Sequence, residues 1–381
     1  MVPSRSPRGT EAGSTSGRAA GAAPPGPSEA LRRIAYLLEA SRAETFKVRA
    51  FRRAAASIDD AGPERVAALG TSGRLAELPG LGPTTAAVVV SSLTGEVHPY
   101  LADLEARRET ASTPDVAAFC ARLQGDLHSH SDWSDGGSPI EEMALAAVAL
   151  GHRYLALTDH SPRLTVAHGL DADRLRRQLD VVDELNERLT PFRVLTGIEV
   201  DILLDGALDQ EPELLSRLDV VVASVHSKLR MESKEMTPRM VAAVENPHTD
   251  ILGHCTGRIV VGRGRPPSSF DPDAVFEACA RTGTAVEINS RPERQDPPPD
   301  LLHLAVAAGC VVSIDTDAHA PGQLEWQRVG AGLAVDAGID PERVVNTWPL
   351  DRLLGWTASH EGTRPPAGTP GLPARRRQRY S

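Results

Sequence analysis

Residues 125–137, GDLHSHSDWSDGG, carry side chains whose types and spacing could bind a metal ion. His128 and His130 stand one residue apart, and Asp135 follows five residues after the second histidine. Imidazole and carboxylate groups together suit Zn²⁺, Mn²⁺ or Fe²⁺. A polar loop rich in histidine and aspartate would have the same composition, so the rest of the chain must supply further ligands for the metal hypothesis to hold.

Seven short runs rich in β-branched residues follow residue 124, and six of them carry a histidine or an acidic residue at or near their ends. They read GDLHSH, YLALTDH, RVLTGIEVDI, DVVVASVH, DILGHC, TAVEINS and CVVSIDTDAH. The segments between them can hold helices, so the pattern predicts alternating βα units around a parallel sheet. This many units favours a closed barrel, with an open doubly wound sheet as the alternative.

In a parallel barrel the carboxyl ends of the strands meet on one face. Six histidines and three carboxylates fall at these predicted ends: His128, His130, Asp135, His160, Glu199, His226, His254, Asp317 and His319. Nine ligands exceed what one first-row ion takes, so two or three divalent ions (Mn²⁺, Zn²⁺ or Fe²⁺) are expected. Such clusters hold the attacking and leaving oxygens of a phosphoryl group and make hydroxide available near neutral pH.

The sixth run has no metal ligand but ends in two arginines, Arg291 and Arg294. Guanidinium groups beside a metal cluster predict phosphate recognition, and a surface ion pair is the alternative. Lys228 and Arg258 are expected to hold neighbouring phosphate oxygens on a DNA substrate.

The composition of the 381-residue chain limits the class of protein. The net charge of −10 does not favour a general nucleic-acid coat protein, although a local basic face is compatible with it. Four widely spaced cysteines fit a reducing compartment. No apolar run approaches the roughly 20 residues of a membrane helix. We expect a soluble, cytoplasmic protein whose Gly/Pro-rich residues 1–28 and 357–381 are disordered tails.

Residues 29–105 have helical periodicity and predict a small all-α domain, followed by a linker over residues 106–123. Four basic residues lie within seven positions with no acid among them: Lys47, Arg49, Arg52 and Arg53. Further along, Gly80 and Gly82 flank a leucine before a helix, where backbone N–H groups could approach a phosphate. These residues predict DNA contact, and a solvated charged helix face is the alternative.

The motifs HSHSDWSDG, TDHS, GIEVDI, SVHS, GHCTGR, EINSRPER and DTDAH, in this order, resemble the PHP (polymerase and histidinol phosphatase) domain. The form that they resemble follows the polymerase in bacterial family X DNA polymerases. The resemblance covers residues 124–356 and implies a distorted seven-stranded βα barrel with a trinuclear metal site and phosphoesterase activity. All nine family ligand positions match the residues given above. Asp159 matches a position expected to support the cluster rather than bind metal directly.

Residues 29–105 resemble the helix-hairpin-helix domain that opens the same polymerases. Two features of the polymerase family are missing. The helix TTAAVVVSSL has no lysine for Schiff-base lyase chemistry, and the interval between Glu105 and Gln124 is too short for a polymerase palm. The sequence therefore predicts a hairpin domain joined directly to a phosphoesterase barrel.

These features lead to three hypotheses for function. The first is a metal-dependent phosphoesterase acting at DNA ends, as a 3′-5′ exonuclease or in 3′-end processing during DNA repair. The second is a small-molecule phosphatase of the histidinol-phosphatase type. The third is a DNA-binding scaffold whose metals are structural, which an intact ligand set disfavours.

Overall fold

The computed structural model describes residues 23–109 and 113–360. The predicted tails lie outside these ranges except at their inner ends, where the first helix begins at Pro27 and the last ends at Ser359. The chain forms two compact units, one made of residues up to 35 with 46–106 and the other of residues 36–45 with 107 onward. Among the described residues, no helix has the length and apolar content that crossing a membrane requires.

The described residues 23–109 form helices joined by turns, and they contain no strand, as predicted. The helices are α1 Pro27–Ala40, α2 Thr45–Ala61, α3 Pro63–Thr71, α4 Pro83–Leu93 and α5 Pro99–Glu109. Val48, Phe51 and Ile58 of α2 are buried at helical spacing, as are Thr85, Val88 and Val89 of α4. The turn before α4 contains Gly80 at a φ of 78°, a left-handed conformation that glycine adopts without strain.

All seven predicted strands form, and they build one parallel sheet in the order in which they occur along the chain. The strands are β1 Gly125–Ser129, β2 Tyr154–Leu157, β3 Arg193–Asp201, β4 Val220–Ser224, β5 Ile251–Leu252, β6 Ala285–Asn289 and β7 Val312–Asp315. The first and last strands meet, since the N–H of His130 donates to the carbonyl of Ala318 at 2.8 Å. This confirms the barrel and excludes the doubly wound sheet.

The described residues from 113 onward form nine α-helices. They are α6 Pro114–Cys120, α7 Ile140–Ala149, α8 Ala172–Leu189, α9 Pro212–Leu215, α10 Ser233–Val244, α11 Pro272–Thr282, α12 Pro299–Ala307, α13 Gln327–Asp336 and α14 Leu350–Ser359. Of these, α7 to α12 connect successive strands, α6 precedes β1, and α13 and α14 follow β7. In α8, Leu175, Leu179 and Val182 are buried on one face, because apolar residues at helical spacing pack toward the sheet. Helix α6 lies within the predicted linker.

The contact between β1 and β7, which we call the seam, is filled by polar side chains rather than by a full ladder of backbone bonds. Asn346 donates from Nδ2 to the carbonyls of Gly125 and Ile314, and its Oδ1 accepts from the N–H of Ile314 at 2.7 Å. Gln327 donates to the same two carbonyls, each at 2.8 Å. The seam therefore satisfies backbone groups that barrel closure would otherwise leave buried and unpaired.

Candidate metal centre

The fold brings the nine predicted ligands to the carboxyl ends of the strands. They follow or end six strands in turn: His128, His130 and Asp135 at β1, His160 at β2, Glu199 in β3, His226 at β4, His254 at β5, and Asp317 with His319 at β7. The loop after β1 turns tightly enough to return Asp135 to the group, within 3.5 Å of His160 Nε2 and 3.3 Å of His319 Nε2. Residues far apart in sequence therefore share one site.

Glu199 occupies the middle of the cluster. Five imidazoles place a ring nitrogen close to its carboxylate, at 3.3 Å for His128, 3.6 Å for His130, 2.9 Å for His160, 3.2 Å for His226 and 2.9 Å for His254. Of these residues, His226 is the most exposed, and its side chain is still only 13% accessible. A carboxylate with nitrogens around both oxygens can bridge metal ions.

Three overlapping groups of side chains have ligand atoms close enough to share an ion. They are His130 with Asp135, His160 and His319; His128 with His130 and Glu199; and His160 with Glu199 and His226. Two further predicted ligands adjoin these groups, because His254 Nε2 lies near Glu199 and Asp317 Oδ1 lies 3.4 Å from His130 Nε2. The donor set, imidazole and carboxylate without thiolate, suits divalent metal ions.

The cluster contains buried polar atoms without hydrogen-bond partners. Among the described residues, both oxygens of Glu199 and both ring nitrogens of His130, His226 and His254 lack one. Nearly all buried polar groups in proteins are paired, so such a concentration needs a ligand to account for it. Metal ions at the centre of these groups would engage the orphaned atoms.

Electrostatics favour an ionised Glu199. Although burial opposes charge, the imidazoles of His128, His226 and His160 hold the pKa of Glu199 well below its ordinary value. Burial lowers the pKa of His254 to about 4, while at His226 the carboxylates of Glu199 and Asp201 overcome burial and raise the pKa to about 9. Glu199 is thus in its metal-binding form, whereas a metal ion bound by His226 would displace a proton from that imidazole.

Behind the ligands lies Glu287, which the sequence analysis did not single out. Its Oε1 is 2.6 Å from His128 Nδ1, and its Oε2 accepts from the backbone N–H of His254 at 2.5 Å. One buried carboxylate thus fixes the ring of His128 and the strand end that carries His254. The sequence did contain a signal for it, a glutamate inside the otherwise apolar run of β6. A charged side chain in such a strand is almost never buried unless it has a partner.

The carboxylate of Asp159 is hydrogen-bonded to the loop after β1. It accepts from the Ser131 N–H and hydroxyl at 2.8 and 2.7 Å, from the Ser134 hydroxyl and from Gln178. These bonds hold the turn that carries Asp135 back to the cluster. With its oxygens so engaged, Asp159 acts on the centre by shaping this loop.

The two arginines after β6 border the cluster. Arg291 Nη1 lies 3.0 Å from the carbonyl of Asp317, and Arg294 Nε lies 3.2 Å from its Oδ2. The Nη1 of Arg294 is buried and has no acceptor among the described residues. Arg258 is engaged by backbone, since it donates to the carbonyls of Arg294 and Gln295. Lys228 is exposed in the loop after β4.

In the first unit, the structure brings one predicted DNA-contact residue against the glycine turn. A Cβ on Gly80 would lie 2.8 Å from Cδ of Arg53, so the arginine side chain crosses the turn. Arg49, one helical turn earlier, is also exposed, as is Lys47, while Arg52 is half-buried. The N–H of Gly82 is already bound to the Thr85 hydroxyl at 2.9 Å. A phosphate here would therefore find its backbone donors later in the first turn of α4.

Comparison with known proteins places both parts of the chain. A family model described as PHP domain matches residues 126–265, and one described as helix-hairpin-helix domain matches residues 25–96. The DNA polymerase/3′-5′ exonuclease PolX of Bacillus subtilis (strain 168) is 40% identical over 242 residues, which are 64% of this chain and 42% of that protein. The chain thus spans less than half the length of this relative.

Two further matches carry the word phosphatase in their names. A probable phosphatase of Syntrophotalea carbinolica is 31% identical over 240 residues, covering 59% of this chain and 92% of the phosphatase. The structure of histidinol phosphate phosphatase from Lactococcus lactis, complexed with zinc, L-histidinol and phosphate, overlaps with a TM-score of 0.44 and 20% identity, covering 57% of this chain and 95% of that chain. The matched family model and the nearly complete coverage of the first phosphatase show that this chain belongs to the PHP domain family.

Proposed function

We propose that the chain is a metal-dependent phosphoesterase that acts at DNA ends, as a 3′-5′ exonuclease or in 3′-end processing during DNA repair. The observation that carries this proposal is Glu199, a buried carboxylate whose oxygens lack hydrogen-bond partners among the described residues while five imidazoles surround it. Membership of the PHP family supports the same chemistry.

Two or three ions, Mn²⁺, Zn²⁺ or Fe²⁺, fit the arrangement of ligands. His130, His160 and Glu199 each belong to two of the three candidate groups, as bridging or adjacent ligands of a multinuclear site would. Bound divalent ions would supply Lewis acidity toward a phosphate ester and a nucleophilic water near neutral pH. The nine side chains named above are the proposed ligands.

The arginines after β6 are proposed to bind the phosphate. Their contacts with Asp317 hold both guanidinium groups beside the ligands, and the buried Nη1 of Arg294 remains available to a phosphate oxygen. Burial opposes the charge of Arg294, yet Asp317 and Glu199 raise its pKa above the ordinary value, so it stays protonated. A permanently charged donor of fixed orientation suits a phosphodiester anion.

DNA as the substrate is supported by the first unit. The pairing of Arg53 with the Gly80 turn provides a cationic side chain beside the backbone donors of a helix start, a combination that grips phosphates without reading sequence. The Bacillus subtilis relative, whose name includes 3′-5′ exonuclease, points in the same direction.

The proposal is tested with a substrate panel on the purified chain supplied with Mn²⁺, Zn²⁺ or Mg²⁺. We expect a 3′-labelled oligonucleotide to be shortened from its labelled end, and His128→Ala and Asp317→Ala to abolish the reaction while DNA binding persists. Hydrolysis of small phosphomonoesters with the oligonucleotide left intact would contradict an action on DNA.

A small-molecule phosphatase is the second candidate, favoured by one specific observation. The probable phosphatase of Syntrophotalea carbinolica matches over 240 residues, 92% of its length and only 59% of this chain. The remainder of this chain has no counterpart in that match. Competition between histidinol phosphate and the labelled oligonucleotide separates the two candidates, because the better substrate inhibits cleavage of the poorer one.

A further inference from the structure

The segment between β5 and α11 has a charge opposite to that of the chain as a whole. From His254 to Phe270 it contains three arginines, Arg258, Arg263 and Arg265, and no aspartate or glutamate, in a chain of net charge −10. Local basic character in an acidic protein indicates an anionic partner at that place. We call residues 258–265 the basic arm.

The basic arm is an ordered hairpin. The N–H of Ile259 donates to the carbonyl of Arg265 at 2.9 Å, and the reverse bond measures 2.8 Å. Gly262 and Gly264, with φ of 62° and 64°, turn the chain between them. The turn thus presents Arg263 at the tip of a hydrogen-bonded element.

The basic arm is attached to the rim of the candidate metal centre. It begins four residues after the predicted ligand His254, and the N–H of Val260 donates to the carbonyl of Glu293 at 2.7 Å. Arg258 Nε donates to the carbonyl of Arg294 at 3.0 Å. Since Arg294 in turn contacts Asp317, the base of the arm is fixed to the loop that borders the cluster.

No salt bridge neutralises the basic arm in the described part of the chain, although the carboxylate of Asp296 interacts with the charge of Arg265. Arg258 and Arg265 donate to backbone carbonyls, the latter to Gly257 at 2.6 Å. Arg263 is exposed, and none of the three forms an ion pair with any residue in the ranges 23–109 and 113–360. Val260, beside the tip, is 50% exposed, which adds an apolar surface next to the charge.

We infer that the basic arm binds the phosphodiester backbone of the nucleic-acid strand whose end is in the metal centre, and that the substrate class is therefore a polynucleotide. This inference rests on the proposed function. Four residues of extended chain reach about 13 Å from Arg258 to the turn. Phosphates along one strand of a duplex recur about every 3.4 Å of helix axis. A phosphomonoester at the metals would leave the tip without a partner, whereas a strand offers further phosphates.

The test compares Arg263→Glu with Arg263→Lys, and with Arg217→Glu as the matched control. Arg217 is exposed just before the start of β4, at the end of the barrel opposite the predicted ligands. Each full-length variant is assayed with Mn²⁺ for kcat/KM on a single-stranded hexanucleotide and on p-nitrophenyl phosphate, across a range of salt concentrations.

For Arg263→Glu we expect kcat/KM on the hexanucleotide to fall roughly tenfold or more, with a salt dependence shallower by about one phosphate contact. Arg263→Lys, which keeps the charge, stays within about threefold, and Arg217→Glu behaves as the unaltered chain. Hydrolysis of p-nitrophenyl phosphate, too short to reach the tip, is retained in all three variants.

Two results would overturn the inference while leaving the proposed function intact. One is an unchanged kcat/KM of Arg263→Glu on a hexanucleotide that the unaltered chain cleaves. The other is an equal loss on both substrates, which would place the effect in the metal centre. If the unaltered chain cleaves p-nitrophenyl phosphate but no oligonucleotide, the proposed action on DNA fails and the role of the arm fails with it.

Discussion

The barrel holds two buried polar clusters, the seam and the candidate metal centre, and they are satisfied in opposite ways. At the seam, Asn346 and Gln327 pair with the backbone of β1 and β7, so polar groups serve to close the sheet. At the metal centre, the carboxylate of Glu199 and the rings of His130, His226 and His254 are also buried, and their polar atoms lack hydrogen-bond partners among the described residues. The paired polar groups of the seam thus stabilise the fold, whereas the concentration of unpaired ones around Glu199 points to a ligand at that place.

The largest loss of activity should come from Glu199→Gln, which tests the candidate metal centre. Loss of the central negative charge removes the group that the imidazoles share, so we expect bound metal to fall and hydrolysis to drop by about 10³-fold or more. Metal content after dialysis and kcat are the measurements. Glu277→Gln, at an exposed glutamate of α11, is the control and should change neither. A fully metallated and active Glu199→Gln variant would remove the basis for a bridging role.

The substitution Asn346→Ala tests the seam, where the buried polar groups are hydrogen-bonded. It leaves the buried N–H of Ile314 without its acceptor and removes one of the two side-chain donors to the carbonyls of Gly125 and Ile314, so we expect a loss of about 2–3 kcal/mol in the free energy of unfolding. Denaturant unfolding measures the loss. The activity per folded molecule should be retained, and a large loss of activity without destabilisation would show that the seam contributes to the chemistry.

Glu287 combines features of the two clusters. Its carboxylate is hydrogen-bonded, as the groups of the seam are, but its partners are the predicted ligands His128 and His254. The substitution Glu287→Gln therefore tests both. We expect metal affinity to fall about 10–100-fold, since the ring of His128 and the backbone of His254 lose a charged acceptor. Metal retained on dialysis and the Mn²⁺ concentration giving half-maximal activity are the readouts, again with Glu277→Gln as the control. Unchanged affinity would make Glu287 a purely structural residue.

The smallest effect is expected at His152, at the seam end of the barrel. Burial lowers its pKa from 6.5 to about 4 against an opposing contact with Gln327, so its contribution to stability is full above pH 6.5 and is lost as the pH falls toward 4. At pH 5 the loss amounts to about 1–2 kcal/mol. His152→Gln should therefore show a smaller fall in Tm between pH 8 and pH 5 than the unaltered chain. His303→Gln, at an exposed histidine, should not.

Much of the barrel could be predicted because one periodic signal recurred seven times, each time a β-branched run ending in polar residues. The sequence analysis missed Glu287 because its partners, His128 and His254, are separated from it by 159 and 33 residues and meet it only after the sheet closes. It also assigned residues 106–123 to a linker. There, Thr113 followed by Pro114 was a local signal for the start of α6, since a capping threonine before proline begins many helices.

The meeting of β1 with β7 also bears on when the centre becomes complete during synthesis. His128 and His130 leave the ribosome almost two hundred residues before Asp317 and His319, yet Asp317 Oδ1 stands 3.4 Å from His130 in the finished barrel. A nascent chain that ends before β7 lacks two predicted ligands and the strand that holds β1 in place. Strand β7 is therefore needed both to close the barrel and to complete the set of nine predicted ligands. The full ligand set can form only after the whole barrel has been synthesised.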